Sequence, residues 1–125
     1  MEFRTDRPIY RQIIDYAFAA ILSEQWRQGE RVPSVRELGT ELAVNTHTVL
    51  KAYEYLTDRG IIAVRRGMGY FLDADAKAKV NADRREHFFE TSLAELFEQM
   101  QLLGITIDDV VAHYNEFCKS RRCLD

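Results

Sequence analysis

Between Pro8 and Leu72 the apolar residues change period once, and that change limits the chain to few architectures. Pro8 suits a first helical position, and Ile9, Ile13, Tyr16, Ala17, Ala20 and Ile21 then recur at helical spacing. A long helix is expected over about residues 8–26, with Gly29 closing the segment. Ser34 and Glu37 form an S-x-x-E capping box for a second helix, which Leu38 and Leu42 anchor inward. Ala43 and Val44 make a tight connection. Asn45 then caps a third helix with apolar positions Val49, Ala52, Tyr53 and Leu56, ended by Gly60. Here the period switches. Residues 61–65 are apolar and largely β-branched, Arg66-Gly67-Met68-Gly69 supplies two residues free to take positive φ, and Tyr70-Phe71-Leu72 resumes a strand.

Three helices and a hairpin, with the second and third helices a few residues apart, is the order of a winged helix-turn-helix. In that arrangement the third helix lies in a major groove with its first turn at the base edges. Asn45, Thr46, His47 and Thr48 offer donors and acceptors there, while Val49, Ala52 and Tyr53 face the core. The same cluster also reads as a cap and a solvated helix start. Arg65 and Arg66 beside Gly67 form a tip that lets guanidinium groups and backbone approach a phosphate or a minor groove; a solvated charged turn is the plainer reading. Arg36 can reach a phosphate or a guanine edge, or pair with Glu37 or Glu41.

Residues 73–82 carry little apolar pattern and are expected as a linker or the start of the next helix, between a 1–72 DNA-binding domain and an 83–125 region. In the latter, Phe89, Leu93, Leu96, Met100 and Leu103 follow one another at spacings of 4, 3, 4 and 3, with Phe88 and Phe97 widening the stripe. Gly104 stops that helix. Thr106 and Asp109 start a last one, whose apolar face is Ile107, Val110, Val111, Tyr114, Phe117 and Cys118. Two short helices enclose little core, so the stripe is expected to dimerise the chain, the alternative being that it packs on its own last helix or on the N-terminal domain. The expected fold is therefore mainly α with a small β-hairpin: a winged helix-turn-helix followed by a two-helix C-terminal dimerisation region.

Charge complicates a nucleic-acid partner, because the net charge is -3. It is uneven: residues 1–72 hold 10 Lys+Arg against 9 Asp+Glu, and residues 73–125 hold 7 against 11. Local clusters such as Arg65-Arg66 must therefore carry DNA binding. The weak charge also leaves open a second function, a winged helix used to bind another protein.

Several classes fall away. Apolar residues make 46% and charged residues 30% of the chain, the composition of a folded protein and not of a disordered tail. No apolar run approaches a membrane span, and MEFRTDRPIY lacks the apolar core of a secretory signal, so a cytoplasmic protein without a membrane partner is expected. His47, His87 and His113 are scattered, and neither a metal nor a cofactor is expected. Without a Gly-rich phosphate loop, a nucleophile motif or a carboxylate pair, an enzyme is not expected; Asp108-Asp109 suits an acidic first helical turn. Cys118 and Cys123 could be bridged in an oxidising compartment but are expected as unlinked thiols in a reducing one. No small-molecule effector is named by these residues.

The motifs Pro33-Ser34-Val35-Arg36-Glu37-Leu38, Val44-Asn45-Thr46-His47-Thr48-Val49, Ala52-Tyr53-Glu54-Tyr55-Leu56, Arg59-Gly60-Ile61-Ile62 and Arg65-Arg66-Gly67-Met68-Gly69 together resemble the GntR family of bacterial transcription regulators. The likeness spans nearly all of residues 8–72. The short C-terminal region with Leu102-Leu103-Gly104-Ile105-Thr106 resembles the YtrA subfamily, whose reduced C-terminal part dimerises and whose members often repress transporter operons. The resemblance implies DNA contacts from Arg36, from Asn45, Thr46, His47 and Thr48, and from Arg66 and Gly67 in the wing. Thr46 stands where many relatives have arginine or proline, and Leu50 where many have a basic residue, so the operator sequence does not transfer.

Overall fold

The computed structural model describes residue 3 and residues 7–121. Helices α1 (Ile9–Leu22), α2 (Val35–Leu42) and α3 (Thr46–Asp58) precede strands β1 (Ile62–Arg65) and β2 (Gly69–Leu72). Helix α4 (Ala76–His87), a π-helical turn (Phe88–Ser92), α5 (Leu93–Leu103) and α6 (Ile107–Arg121) follow. The chain divides into two compact units, Met1–Asp83 and Arg84–Asp125.

In the first unit Ile13, Ile14 and Phe18 of α1, Leu38 of α2, Val49, Tyr53 and Leu56 of α3, and Ile61, Ile62 and Leu72 of the hairpin share one core. Helix α1 stops at Leu22, short of the expected end near residue 26. Glu24 takes φ +65°, and the Trp26 N–H donates to the Ala20 carbonyl at 3.0 Å, turning the chain so that Trp26 enters the core. The residue at the expected helix end is thus the one that folds back into the core.

The strands pair antiparallel from Ile62↔Leu72 to Arg65↔Gly69. Residues 29–32 run beside β2: the Val32 N–H donates to the Tyr70 carbonyl and the Leu72 N–H to the Glu30 carbonyl, each at 2.9 Å. That edge is thereby covered.

Within residues 73–82 the chain makes a turn and enters α4. Ala76 and Val80 are fully buried in the first unit's core, and Asp83 is buried beside them. The Asp83 carboxylate accepts from the Tyr55 hydroxyl of α3 at 2.7 Å and pairs at 3.1 Å with Arg59, which caps the end of that helix. The 76-80-83 repeat is helical but uses two small residues and an acid, so hydropathy alone does not reveal it.

In the second unit Gly104 ends α5 at φ +68°. Thr106 and Asp109 close a reciprocal box at the start of α6: the Asp109 N–H donates to the Thr106 hydroxyl oxygen at 3.2 Å and the Thr106 N–H to the Asp109 carboxylate at 3.0 Å. These bonds, the backbone one first, hold the Asp109 carboxyl below its ordinary range. Cys118 is disulfide-bonded, which corrects the expectation of two unlinked thiols. Spacing states only that two sulfurs are within reach; whether they meet depends on the local path of the chain. Cys123 lies outside the described residues.

Candidate nucleic-acid interface

The turn between α2 and α3 is built from local bonds that the sequence dictates. The Glu37 N–H donates to the Ser34 hydroxyl oxygen and the Ser34 N–H to the Glu37 carboxylate, each at 3.0 Å, so two orphan donors at the start of α2 are satisfied. The Ser34 N–H above all, then the Ser34 hydroxyl and Arg31, hold the Glu37 carboxyl below its usual range. At the far end Ala43 takes φ +56° and the Val44 N–H donates to the Gly39 carbonyl at 2.9 Å. A Cβ on Gly39 would lie 3.2 Å from the Val44 carbonyl oxygen and 3.3 Å from the Thr46 methyl carbon. Glycine at 39 therefore lets α3 start close against α2.

Asn45 caps α3, its side-chain oxygen accepting from the His47 N–H at 2.8 Å. Thr46 and His47 are exposed, Thr48 is half-buried, and Val49 and Ala52 point into the core. The polar and apolar sides of α3 thus separate as its sequence anticipates. Tyr53 fixes the helix in place. Its hydroxyl donates to the Pro33 carbonyl at 2.6 Å, and its ring meets Trp26 and Tyr70 edge-on at 6.3 and 5.0 Å between centroids. One buried tyrosine thus links the entry to α2, helix α3 and the hairpin, and burial above all pushes its phenol well above the usual value.

At the hairpin tip Gly67 has φ +75° and Gly69 φ +102°, conformations that side chains with a Cβ rarely adopt. Arg66 and Gly67 are exposed. Arg65 is a strand residue whose guanidinium lies over the Phe71 ring, 4.0 Å from its centroid. Arg36 is exposed on the first turn of α2 and, among the described residues, pairs with neither Glu37 nor Glu41. Glu37 engages Arg31 at 3.2 Å instead, and Glu41 accepts from the Tyr16 hydroxyl at 3.0 Å. The sequence reading missed a further cation, Lys51, exposed on α3 with its ammonium 4.0 Å from the centre of the Tyr10 ring. A groove of about 430 Å³ lies there between Ile9, Tyr10, His47, Thr48 and Lys51.

The exposed set Arg36, Asn45, Thr46, His47 and Arg66 therefore belongs to a single compact unit. Among the described residues no three His, Cys, Asp or Glu side chains gather as metal ligands, and no helix is long and apolar enough to cross a membrane.

In the second unit Phe89 is exposed, Leu93 half-buried, Leu96 exposed, Met100 buried and Leu103 exposed. The expected stripe is continuous as a helical pattern across the π-turn but not uniform in burial.

The model of bacterial regulatory proteins of the gntR family matches residues 9–72. Over 105 residues the chain is 32% identical to the HTH-type transcriptional repressor YtrA of Bacillus subtilis, covering 84% of this chain and 80% of that relative. A solved GntR-family transcriptional regulator from Bacteroides thetaiotaomicron superposes with a TM-score of 0.76 at 36% identity, over 90% of this chain and 98% of that one. The DNA-binding domain of AraR, solved in complex with its operator, gives a TM-score of 0.51 at 26% identity, over 58% of this chain and 84% of that one.

Proposed function

Because the chain belongs to the GntR family of bacterial regulatory proteins, we propose that this DNA-binding transcription regulator is a cytoplasmic repressor that holds an inverted-repeat operator as a homodimer. The observation that carries the reading is the exposed polar start of α3, with Thr46 and His47 turned to solvent while Val49, Ala52 and Tyr53 hold the helix to the core. A helix so mounted can enter a major groove, where Asn45, Thr46, His47 and Thr48 read base edges and Arg36 engages phosphate or guanine. Arg65, Arg66 and Gly67 form the wing contact. The AraR domain bound to its operator supports DNA as the partner of this module. The likeness to YtrA supports repression, and the subfamily resemblance supports a transporter operon as the target.

In this reading residues 1–72 bind DNA, residues 73–82 form the start of α4 seated on that domain, and residues 83–125 dimerise. The Phe89, Leu93, Leu96, Met100 and Leu103 stripe supports the last assignment, since Phe88, Phe89, Leu96, Phe97, Leu102 and Leu103 leave large apolar surfaces in water. A second copy would cover them, and two-fold symmetry would set the half-sites about one helical turn, roughly 34 Å, or a multiple of it apart.

The test is an electrophoretic mobility shift on the DNA upstream of the protein's own gene at two salt concentrations. Operator binding weakens steeply with salt. Absence of a shift at low salt, with the fold intact by circular dichroism, would favour a winged helix that binds protein instead.

A further inference from the structure

The geometry points to Lys51 as a further DNA-contacting residue, seated by the ring of Tyr10, and we propose that it binds a backbone phosphate beside the α3 reading turn. The inference rests on the operator-binding reading and extends it to a residue that no motif singles out. Lys51 follows His47 by about one helical turn, so the two side chains share a face of α3 about 6 Å apart along the axis. Together with Ile9, Tyr10 and Thr48 they line the groove of about 430 Å³.

Two physical points decide for phosphate. A major groove is about 12 Å wide and a helix with its side chains about 10–12 Å across, so a residue one turn beyond the base-reading turn approaches the flanking backbone. Lysine offers a compact charge on a flexible stem, which suits a phosphate better than the planar edge of a base. The seat matters as much as the charge. Arg7, Arg31, Arg59, Lys77 and Lys79 are each matched by a carboxylate. Lys51 makes no ion pair among the described residues, and its ammonium lies 4.0 Å from the Tyr10 ring centroid. An aromatic face restrains the side chain without neutralising it, so its attraction for an anion is kept. Arg65, over the ring of Phe71, is held in the same way on the hairpin. Tyr10 is accordingly a positioning residue.

The experiment uses the full chain, duplexes of the upstream region and of scrambled sequence, and titrations across a salt series. Lys51→Met should weaken binding to both duplexes by about eightfold per contact at 0.1 M salt and lower the salt slope by about one. Tyr10→Phe keeps the ring and should bind as wild type. Tyr10→Leu should weaken binding in the wild-type background and add nothing to Lys51→Met. Steeply salt-dependent binding by the wild type with Lys51→Met unchanged would overturn this proposal and leave the operator reading standing. Loss confined to the upstream sequence would make Lys51 a base reader and overturn the phosphate role. Full additivity of Tyr10→Leu with Lys51→Met would remove the seat. A wild type that binds neither duplex takes both readings down.

Discussion

The two compact units treat their apolar residues in opposite ways. In the first, Ile13, Ile14, Leu38, Val49, Tyr53, Leu56 and Ile61 are fully buried, and α4 adds Ala76 and Val80. In the second, Met100 at 8% exposure is the buried apolar residue among those described, while Leu102 stands 85% and Leu103 70% exposed. Burying a large apolar side chain stabilises by about 1.5–3 kcal/mol, so the first unit draws its stability from within and the second leaves much of that potential unused. The first unit is a closed fold that presents polar groups. The second is an apolar surface on short helices.

Substitutions in the two units should therefore differ most in folding. Leu56→Ala should cost about 4 kcal/mol of stability by transfer and cavity terms, whereas Leu102→Ala, compared at protein concentrations low enough to keep the chain monomeric, should stay within about 0.5 kcal/mol, its loss falling on dimer affinity instead. Urea denaturation of both variants reads the contrast directly, and comparable losses would erase it.

Next in size is assembly. Leu96→Glu combined with Phe97→Glu alters two exposed positions of α5 and leaves the buried Met100 alone. Sedimentation at micromolar concentration should show monomers, with operator affinity down about a hundredfold because the second half-site is no longer tethered. A variant that still sediments as a dimer would assign the stripe to some other contact.

The anchor of α4 on α3 comes third. Asp83→Ala removes the partner of Tyr55 and Arg59 and should cost about 2 kcal/mol, in the range for buried hydrogen bonds to a charge. Thermal unfolding checks it; a melting temperature within error of wild type would show that α4 is held by Ala76 and Val80 alone.

Arg66→Ala should leave folding untouched and lower the salt slope of operator binding by about one, a loss of about eightfold at 0.1 M salt. Fluorescence anisotropy across a salt series that shows an unchanged slope would take the wing out of the contact.

The smallest effect concerns the helix start. Ser34→Ala should cost about 1 kcal/mol through loss of the cap. Its pH signature follows from Glu37, whose carboxyl is depressed first by the Ser34 N–H, which the variant keeps, and then by the Ser34 hydroxyl, which it loses. A depressed acid stabilises the fold above its ordinary value of 4.5 and ceases to do so as pH falls through the lowered one. Denaturation at neutral pH and near pH 3 should thus differ less in Ser34→Ala than in wild type.

What was legible in the sequence shares a short range. The S-x-x-E box at Ser34, the Asn45 cap, the stops at Gly60 and Gly104, the T-x-x-D start at Thr106 and the hairpin around Gly67 are bonds between residues a few positions apart. Dihedral preference and side-chain reach decide such features before any packing occurs. The polar start of α3 was legible for the same reason, because helical periodicity alone separates Thr46 and His47 from Val49 and Ala52.

Only tertiary structure could decide what depends on residues far apart in the chain. It ended α1 at Leu22 because Trp26 finds its place in a core made largely by later elements. It turned residues 76–83 into a helix because Ala76, Val80 and Asp83 have α3 and the core to meet. It set the ring of Tyr10 under Lys51, joining α1 to α3 with no signal in either segment. A helical stripe fixes which side chains share a face, but burial depends on what arrives to cover that face, and in Arg84–Asp125 most of it stays in water.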